Sequence, residues 1–148
     1  MPDVARGSVL GFDYGRKRIG IAVGDLEVGL AHPLETLRSE ENAIRFARIG
    51  ELVRQWQPVL AVVGLPTHDD GRPHDLAPDC LRFGRRLKEK FGMPVVWMDE
   101  RYSSAAASLS LDETGVHGRQ QKVMLDQVAA QHILQQYFDG SEQAHELA

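Results

Sequence analysis

Apolar and polar residues alternate along residues 8–14 and again along residues 18–24, and the polar residues 15–17 separate the two segments. Alternation is typical of β-strands, and a short turn between two alternating segments predicts an antiparallel hairpin. Residues 30–37 are compatible with a third strand. Pro33 predicts an edge position or a bulge for that strand, because proline cannot donate a hydrogen bond to a neighbouring strand.

Helical and buried-strand patterns follow this predicted hairpin in turn. Ser39 suits the N-cap of a first helix, which continues with apolar residues at helical spacing and ends before Pro58. Residues 59–64 are apolar without a break, which predicts a fully buried, parallel strand. The remaining predicted elements are a helix over about residues 78–91, a strand over 95–98, a helix over about 103–111 and a final helix over about 121–138.

This order of elements predicts an α/β fold with a mixed five-stranded sheet and helices on both faces. The chain of 148 residues has the size of one ordinary domain. We expect that domain to span residues 1–140, since no long linker divides it, and residues 141–148 to form a flexible polar tail. In sheets of this kind, functional residues gather at the ends of strands.

Composition narrows the possible classes of protein. Hydrophobic residues make up 43% of the chain and charged residues 26%, as expected for a protein that folds around a core. The single cysteine, Cys80, excludes an internal disulfide and fits a reducing compartment. No apolar run approaches the roughly 18–20 residues of a membrane span, and no signal-peptide pattern is present. We therefore expect a cytoplasmic monomer that does not associate with membranes.

The charges are unevenly distributed along the chain. A net charge of −4 argues mildly against nucleic-acid binding, which usually involves a basic domain, but local patches matter more than the sum. Arg16, Lys17 and Arg18 occupy the predicted hairpin turn, where they either engage a nucleic-acid backbone or are simply exposed. A second cluster is interpreted as a solvated helix face and consists of Arg82, Arg85 and Arg86.

Asp13 stands at the end of the first predicted strand, on the strand face that it shares with Val9 and Gly11. A carboxylate at the end of a buried strand is costly unless it is paired or bound to a cation. Asp13 is therefore either a metal ligand or a turn residue that bonds its own backbone.

Two further acids lie where the apolar pattern predicts burial. Glu100 follows the last predicted strand, where it is a metal ligand, a helix-leading acid or the ion-pair partner of Arg101. Asp126 shares one face of the final helix with Ala130 and Ile133, so it is expected to face the sheet. The alternative for Asp126 is a salt bridge or a capping role inside the core.

Three carboxylates that converge from two strand ends and a helix would repel one another, and their pKa values would rise unless cations were present. Hard oxygen ligands of this kind suit Mg²⁺ or Mn²⁺. Two such ions about 4 Å apart can activate a water and stabilise the leaving oxygen in phosphodiester cleavage. The sequence therefore predicts a metal-dependent phosphoryl-transfer site at Asp13, Glu100 and Asp126.

Four motifs in the chain, taken together and in this order, resemble the YqgF family. They are Gly11-Phe-Asp-Tyr-Gly-Arg-Lys-Arg-Ile-Gly-Ile-Ala, Val63-Gly-Leu-Pro, Asp99-Glu-Arg-Tyr-Ser-Ser and Asp126-Gln-Val-Ala-Ala. The resemblance implies a ribonuclease H-like fold and a metal-dependent nuclease that trims the 5′ end of pre-16S ribosomal RNA, with Holliday junction resolution as the alternative activity. It also implies that Asp13, Glu100 and Asp126 are the catalytic acids, and that ribosomal precursor particles are possible partners.

Three other basic residues are candidates for substrate binding. Arg101 either clamps a phosphate through two hydrogen bonds or orients Glu100. Arg119 and Lys122 border a glycine-containing loop that could close over a substrate.

Two rival functions stay open at the level of the sequence. A Gly-x-Asp-x-Gly hairpin also resembles the phosphate-binding hairpin of sugar-kinase and actin-like ATPases, although those proteins need two such domains and a second nucleotide motif. The other rival is a non-catalytic nucleic-acid-binding protein, such as a transcription or ribosome-assembly factor.

Overall fold

The computed structural model describes residues 7–66, 75–99, 118–140 and 144–146. Its sheet is organised around a hairpin of two strands, β1 (Ser8–Tyr14) and β2 (Ile19–Asp25), which pair antiparallel with Asp13 opposite Gly20. The predicted hairpin is confirmed, except that Arg18 belongs to the turn and not to the second strand.

Four more strands complete the sheet, in the order β3-β2-β1-β4-β5-β6. They are β3 (Ala31–Leu37), β4 (Leu60–Leu65), β5 (Val95–Asp99) and β6 (Ala144–Glu146). β4 pairs parallel with both β1 and β5, whereas β3 and β6 pair antiparallel at the two edges. The five predicted strands of a mixed sheet are present, and β6 adds a short edge strand within the segment predicted to be a polar tail.

Pro33 has both of the effects expected of it. β3 forms an edge of the sheet, and its register with β2 shifts between Ile21 and Ala22, whose partners are Glu35 and Pro33. One residue of β3, Leu34, is therefore extra, which is the arrangement of a β-bulge.

The three described helices are α1 (Asn42–Trp56), α2 (Ala77–Phe91) and α3 (Gly118–Phe138). α1 and α2 contribute Phe46 and Phe83 to a core on one face of the sheet, and α3 contributes Ala130 to a second core on the other face. Helices on both faces are thus confirmed. In the described part of the chain, no helix is long and apolar enough to cross a membrane. The helix predicted over 103–111 lies outside the described residues.

The predicted N-cap of the first helix is wrong by two residues. α1 begins at Asn42, and its N-cap residue, Glu41, makes no side-chain capping hydrogen bond. The Ser39 hydroxyl instead accepts a hydrogen bond from the Glu41 backbone N–H at 3.0 Å. Ser39 thus orders the turn that precedes the helix, which is the alternative local bond that serine side chains offer.

Candidate active site

Two glycines let α3, which carries Asp126, pack closely on the face of the sheet that carries Asp13. A Cβ atom on Gly11 would lie 2.9 Å from the Leu134 Cβ, so the odd-numbered residues of β1, which include Asp13, face α3. A Cβ atom on Gly20, the residue opposite Asp13, would lie only 1.9 Å from the Asp126 backbone oxygen. Because directly opposite residues of an antiparallel pair share a face, Asp13 points toward the part of α3 that carries Asp126.

The Asp126 side chain is largely buried, and its negative charge is only partly compensated by neighbouring groups. Its side chain is 20% exposed, and its Oδ2 lies 2.9 Å from the Nε of Arg18 in the hairpin turn. This ion pair lacks hydrogen-bond alignment, because the buried Oδ2 atom has no hydrogen-bond partner among the described residues. The salt bridge expected as the alternative role of Asp126 is therefore present, yet one carboxylate oxygen is left without a donor.

The environment of Asp126 shifts the pKa of its carboxyl. Burial raises the pKa of the Asp126 carboxyl above its ordinary value, and the positive charges of Arg18 and Arg38 oppose that rise. A buried carboxylate with a raised pKa gains when a cation approaches it, because the cation favours the ionised form. The arrangement therefore suits a carboxylate that binds a metal.

The carboxyl end of β5 meets the same edge of the sheet. β1, β4 and β5 run parallel, so the end of β5 at Asp99 lies two strands away from Asp13. Glu100 and Arg101 lie outside the described residues, and their roles stay predictions. Within the described ranges, no group of three His, Cys, Asp or Glu side chains is placed to hold a metal ion.

The described residues nevertheless fit a divalent cation in three respects. The donor set of Asp13 and Asp126 consists of hard carboxylate oxygens, which Mg²⁺ and Mn²⁺ prefer. The buried Asp126 Oδ2 has no hydrogen-bond donor in the described structure. The strand on the other side of Asp13 places no side chain there, since the next residue of β4 on the face of Val62, which packs against α3, is Gly64.

The basic residues of the hairpin turn point to different neighbours. The Arg16 guanidinium lies 3.0 Å from Asp79 of α2, Arg18 pairs with Asp126, and Lys17 is exposed. Their contact with a nucleic-acid backbone stays a prediction. Arg119 and Lys122 belong to α3, but their side chains lie outside the described part of the structure.

Arg45 is a site-positioning residue that the sequence analysis missed. It is 2% exposed and donates hydrogen bonds to the backbone oxygens of Gly15 at 2.9 Å, Arg16 at 2.5 Å and Ser39. Its guanidinium also lies 5.4 Å from the centre of the Tyr14 ring. A signal was available, because residue 45 shares the apolar stripe of α1 with Ile49, where a charge is unexpected. Arg45 fixes the turn that carries the basic residues.

The raised pKa of Asp126 predicts that Asp126→Asn stabilises the metal-free protein at neutral pH. A group whose folded pKa is raised contributes stability below its unfolded pKa and loses that stability as the pH rises through the folded value. Ionised Asp126 therefore destabilises the fold near neutrality, and the neutral amide avoids this cost. Thermal melting in chelator should show a higher midpoint for the variant at neutral pH, and the gain should shrink as Asp126 becomes protonated at acid pH.

Asp25→Asn is the matched control for this melting experiment. The Asp25 carboxylate accepts hydrogen bonds from the backbone N–H groups of Glu27 and Val28 in a turn, and asparagine can make the same bonds. The control variant should therefore show no comparable gain. A melting midpoint of Asp126→Asn at or below that of the wild type, at neutral pH, would contradict the account of Asp126.

Comparison with known proteins places the chain among nucleases. A family model described as "RuvX: Holliday junction resolvase" matches residues 7–140. A protein of Nitrosomonas eutropha is 53% identical over 141 residues, which are 95% of this chain and 90% of that protein. A protein of Methylobacillus flagellatus is 54% identical over 143 residues, which are 95% of this chain and 98% of that protein. Both relatives carry the name "Putative pre-16S rRNA nuclease".

Solved structures agree on the fold. "T. thermophilus RuvC in complex with Holliday junction substrate" matches with a TM-score of 0.57 at 18% identity, covering 95% of this chain and 99% of that chain. A second Thermus thermophilus RuvC structure matches with a TM-score of 0.56 and the same coverage. At this level of identity the likeness concerns the fold alone, and it confirms the ribonuclease H-like α/β architecture expected from the sequence.

Proposed function

Since the chain belongs to the RuvX family, the family that its motifs resemble under the name YqgF, we propose that it is a metal-dependent nuclease that processes the 5′ end of pre-16S ribosomal RNA. Relatives about half identical over nearly the whole chain carry a name for that activity. The observation that carries the proposal is the position of Asp13 opposite Gly20, the residue against which the backbone of Asp126 packs. The protein would act in the cytoplasm, as a monomer, on precursor ribosomal particles.

Asp13, Asp126 and Glu100 would hold one or two Mg²⁺ or Mn²⁺ ions. Glu100 follows Val96 and Met98 of β5 at a spacing of two residues, and both of these side chains pack on the α3 side of the sheet. The chemistry that such ions supply is activation of a water and stabilisation of the leaving oxygen in phosphodiester hydrolysis. The acidic residues contribute the negative charge that selects and positions the cations.

The basic residues would position the substrate around these acids. Lys17, exposed in the hairpin turn, can contact the phosphate backbone without reading its sequence. Arg18 holds the Asp126 carboxylate and remains 45% exposed, so it can also reach a phosphate. Arg45 keeps the turn in place through its bonds to Gly15 and Arg16. Arg101, Arg119 and Lys122 complete the proposed substrate contacts.

The second candidate substrate is a branched DNA junction, which the description of the family model favours. The names of the relatives favour RNA instead, and these names come from proteins that align over nearly their full length. A non-catalytic nucleic-acid-binding role would require the acids to be idle, and burial of Asp126 with only partial compensation by Arg18 argues against that role. Family membership does not favour the nucleotide-binding rival.

The deciding experiment offers the purified protein a precursor with the 5′ leader of 16S ribosomal RNA and, separately, a four-way DNA junction. We expect cleavage of the RNA at defined positions with Mg²⁺ or Mn²⁺ and none in chelator, measured by mapping the 5′ ends of the products. Cleavage of the junction alone would replace the RNA substrate with DNA. Metal-independent RNA binding without any cleavage would favour the non-catalytic role.

A further inference from the structure

An open groove of about 760 Å³ runs between α1 and α2, on the face of the sheet opposite α3. It is lined on the α1 side by Asn42, Ala43, Phe46 and Ala47, and on the α2 side by Arg86, Glu89, Lys90 and Phe91. A smaller cavity of about 110 Å³ shares Phe46 and Arg86 with the groove and continues it to Tyr14. Because they share lining residues, the two cavities are neighbours, and together they define a path from the groove to Tyr14 at the end of β1.

The groove combines an apolar floor with a wall on α2 that carries two basic residues and one acid, Glu89. The Phe46 and Phe91 rings lie 6.5 Å apart on the floor, and the small side chains of Ala43 and Ala47 leave the α1 side open. Arg86 and Lys90 stand on α2, and neither forms an ion pair with any residue that the structure describes. The Lys90 Nζ lies 5.5 Å from the centre of the Phe46 ring, so positive charge stands directly over the aromatic floor.

The path ends beside the candidate active site. Tyr14, which lines its inner end, is the residue after Asp13 in β1 and faces the opposite side of the sheet. Asp79, at the same end, pairs with both Arg16 of the hairpin turn and Arg82 of α2. A nucleic-acid strand that crosses the end of β1 would therefore run from Asp13 past these residues into the groove.

We propose that this groove holds a single-stranded segment of the substrate next to the position of cleavage. Phosphates would contact Arg86 and Lys90, while unstacked bases would lie on the apolar floor, which is the combination that single-strand-binding proteins use. A duplex would not fit, because its bases are stacked inside and cannot reach the floor. The proposal rests on the proposed nuclease function and deepens it by naming the form of nucleic acid that this surface takes.

The basic residues of α2, which are predicted to form a solvated face, do not all behave alike in the structure. Arg85 is exposed and does not line either cavity, whereas Arg86 lines both. The two neighbours carry the same charge on the same helix. Arg85→Ala is therefore the matched control for Arg86→Ala, since each removes one positive charge from the same helix.

The test measures binding of a short fluorescein-labelled single-stranded RNA by anisotropy, in chelator, at a series of salt concentrations. Each phosphate contact with a single strand contributes about 0.7 to the slope of log K against log salt. Arg86→Ala should therefore lower that slope by about 0.7, and the double variant Arg86→Ala with Lys90→Ala should lower it by about 1.4. Arg85→Ala should leave the slope unchanged. The same RNA annealed into a blunt duplex should bind the wild type and the double variant alike.

A second pair of variants tests the floor without removing any positive charge. Ala43→Glu places an acid inside the groove, whereas Ile44→Glu places the same acid at an exposed position of α1 that does not line it. Only Ala43→Glu should weaken single-strand binding and slow cleavage of a precursor with a single-stranded leader. Both variants should melt as the wild type does, since both positions are exposed.

The possible results separate this proposal from the nuclease function. If the wild type cleaves precursor RNA while the groove variants match their controls in salt slope and rate, the groove proposal is overturned and the nuclease function stands. If the wild type binds and cleaves no nucleic acid, both are overturned. If the groove variants lose single-strand binding while their controls keep it, the groove proposal is supported.

Discussion

Asp13→Asn is expected to abolish metal-dependent cleavage while leaving the fold intact. The amide has the shape of the carboxylate but not its charge, and Asp13 is a half-buried residue of β1 next to Gly20, where asparagine fits. The loss should exceed the about 10- to 100-fold cost of removing an outer partner of a metal ligand. The measurement is kcat/KM for precursor RNA across a titration of Mg²⁺ or Mn²⁺, with thermal melting as the check on folding.

Asp25→Asn serves as the control for this experiment as well. Asp25 ends β2 as Asp13 nearly ends β1, but its carboxylate bonds the backbone of the following turn. Its replacement should leave cleavage unchanged. A folded Asp13→Asn variant that cleaves at the rate of the wild type would show that Asp13 is not a metal ligand.

Gly20→Ala is expected to destabilise the protein severely. The added Cβ atom would lie 1.9 Å from the Asp126 backbone oxygen, which is closer than two atoms can approach without a bond. Both atoms are held by the backbone, so no side-chain rotation can relieve the clash. α3 would have to move away from β2. Forcing extra atoms into a packed core costs about 1–3 kcal/mol and occasionally more, and we expect the upper part of that range from the midpoint of urea unfolding. Any protein that still folds should cleave poorly, because Asp126 is displaced from Asp13.

Gly50→Ala, in contrast, should stabilise the protein. Gly50 lies within α1, and a Cβ atom there would be 3.4 Å from the nearest atom of the Phe91 ring, which is an ordinary contact. Alanine in a helix interior is about 0.5–1 kcal/mol more favourable than glycine. If Gly20→Ala unfolds at the same urea concentration as the wild type, the close packing of α3 on β2 is refuted.

The sequence by itself determined the first five strands, the three described helices and the class of the fold. Alternation over residues 8–14 and the unbroken apolar run over 59–64 depend on neighbours along the chain, so a hairpin and a buried parallel strand could be predicted from them. The acid on the apolar stripe of the last helix likewise marked Asp126 before any packing was known. The error at Ser39 arose because its hydroxyl had more than one nearby backbone N–H to bond, and local preference could not choose between them.

Only the tertiary structure decided how the elements meet. The contact of Gly20 with Asp126, the ion pair of Arg18 with Asp126 and the bonds from Arg45 to the hairpin turn all join residues far apart in the chain. Such contacts depend on strand register and on how closely a helix can approach the sheet, and neither quantity leaves a periodic signal in the sequence. The groove between α1 and α2 has the same origin, because the placement of the two helices decides that Arg86 lines the groove and its neighbour Arg85 does not.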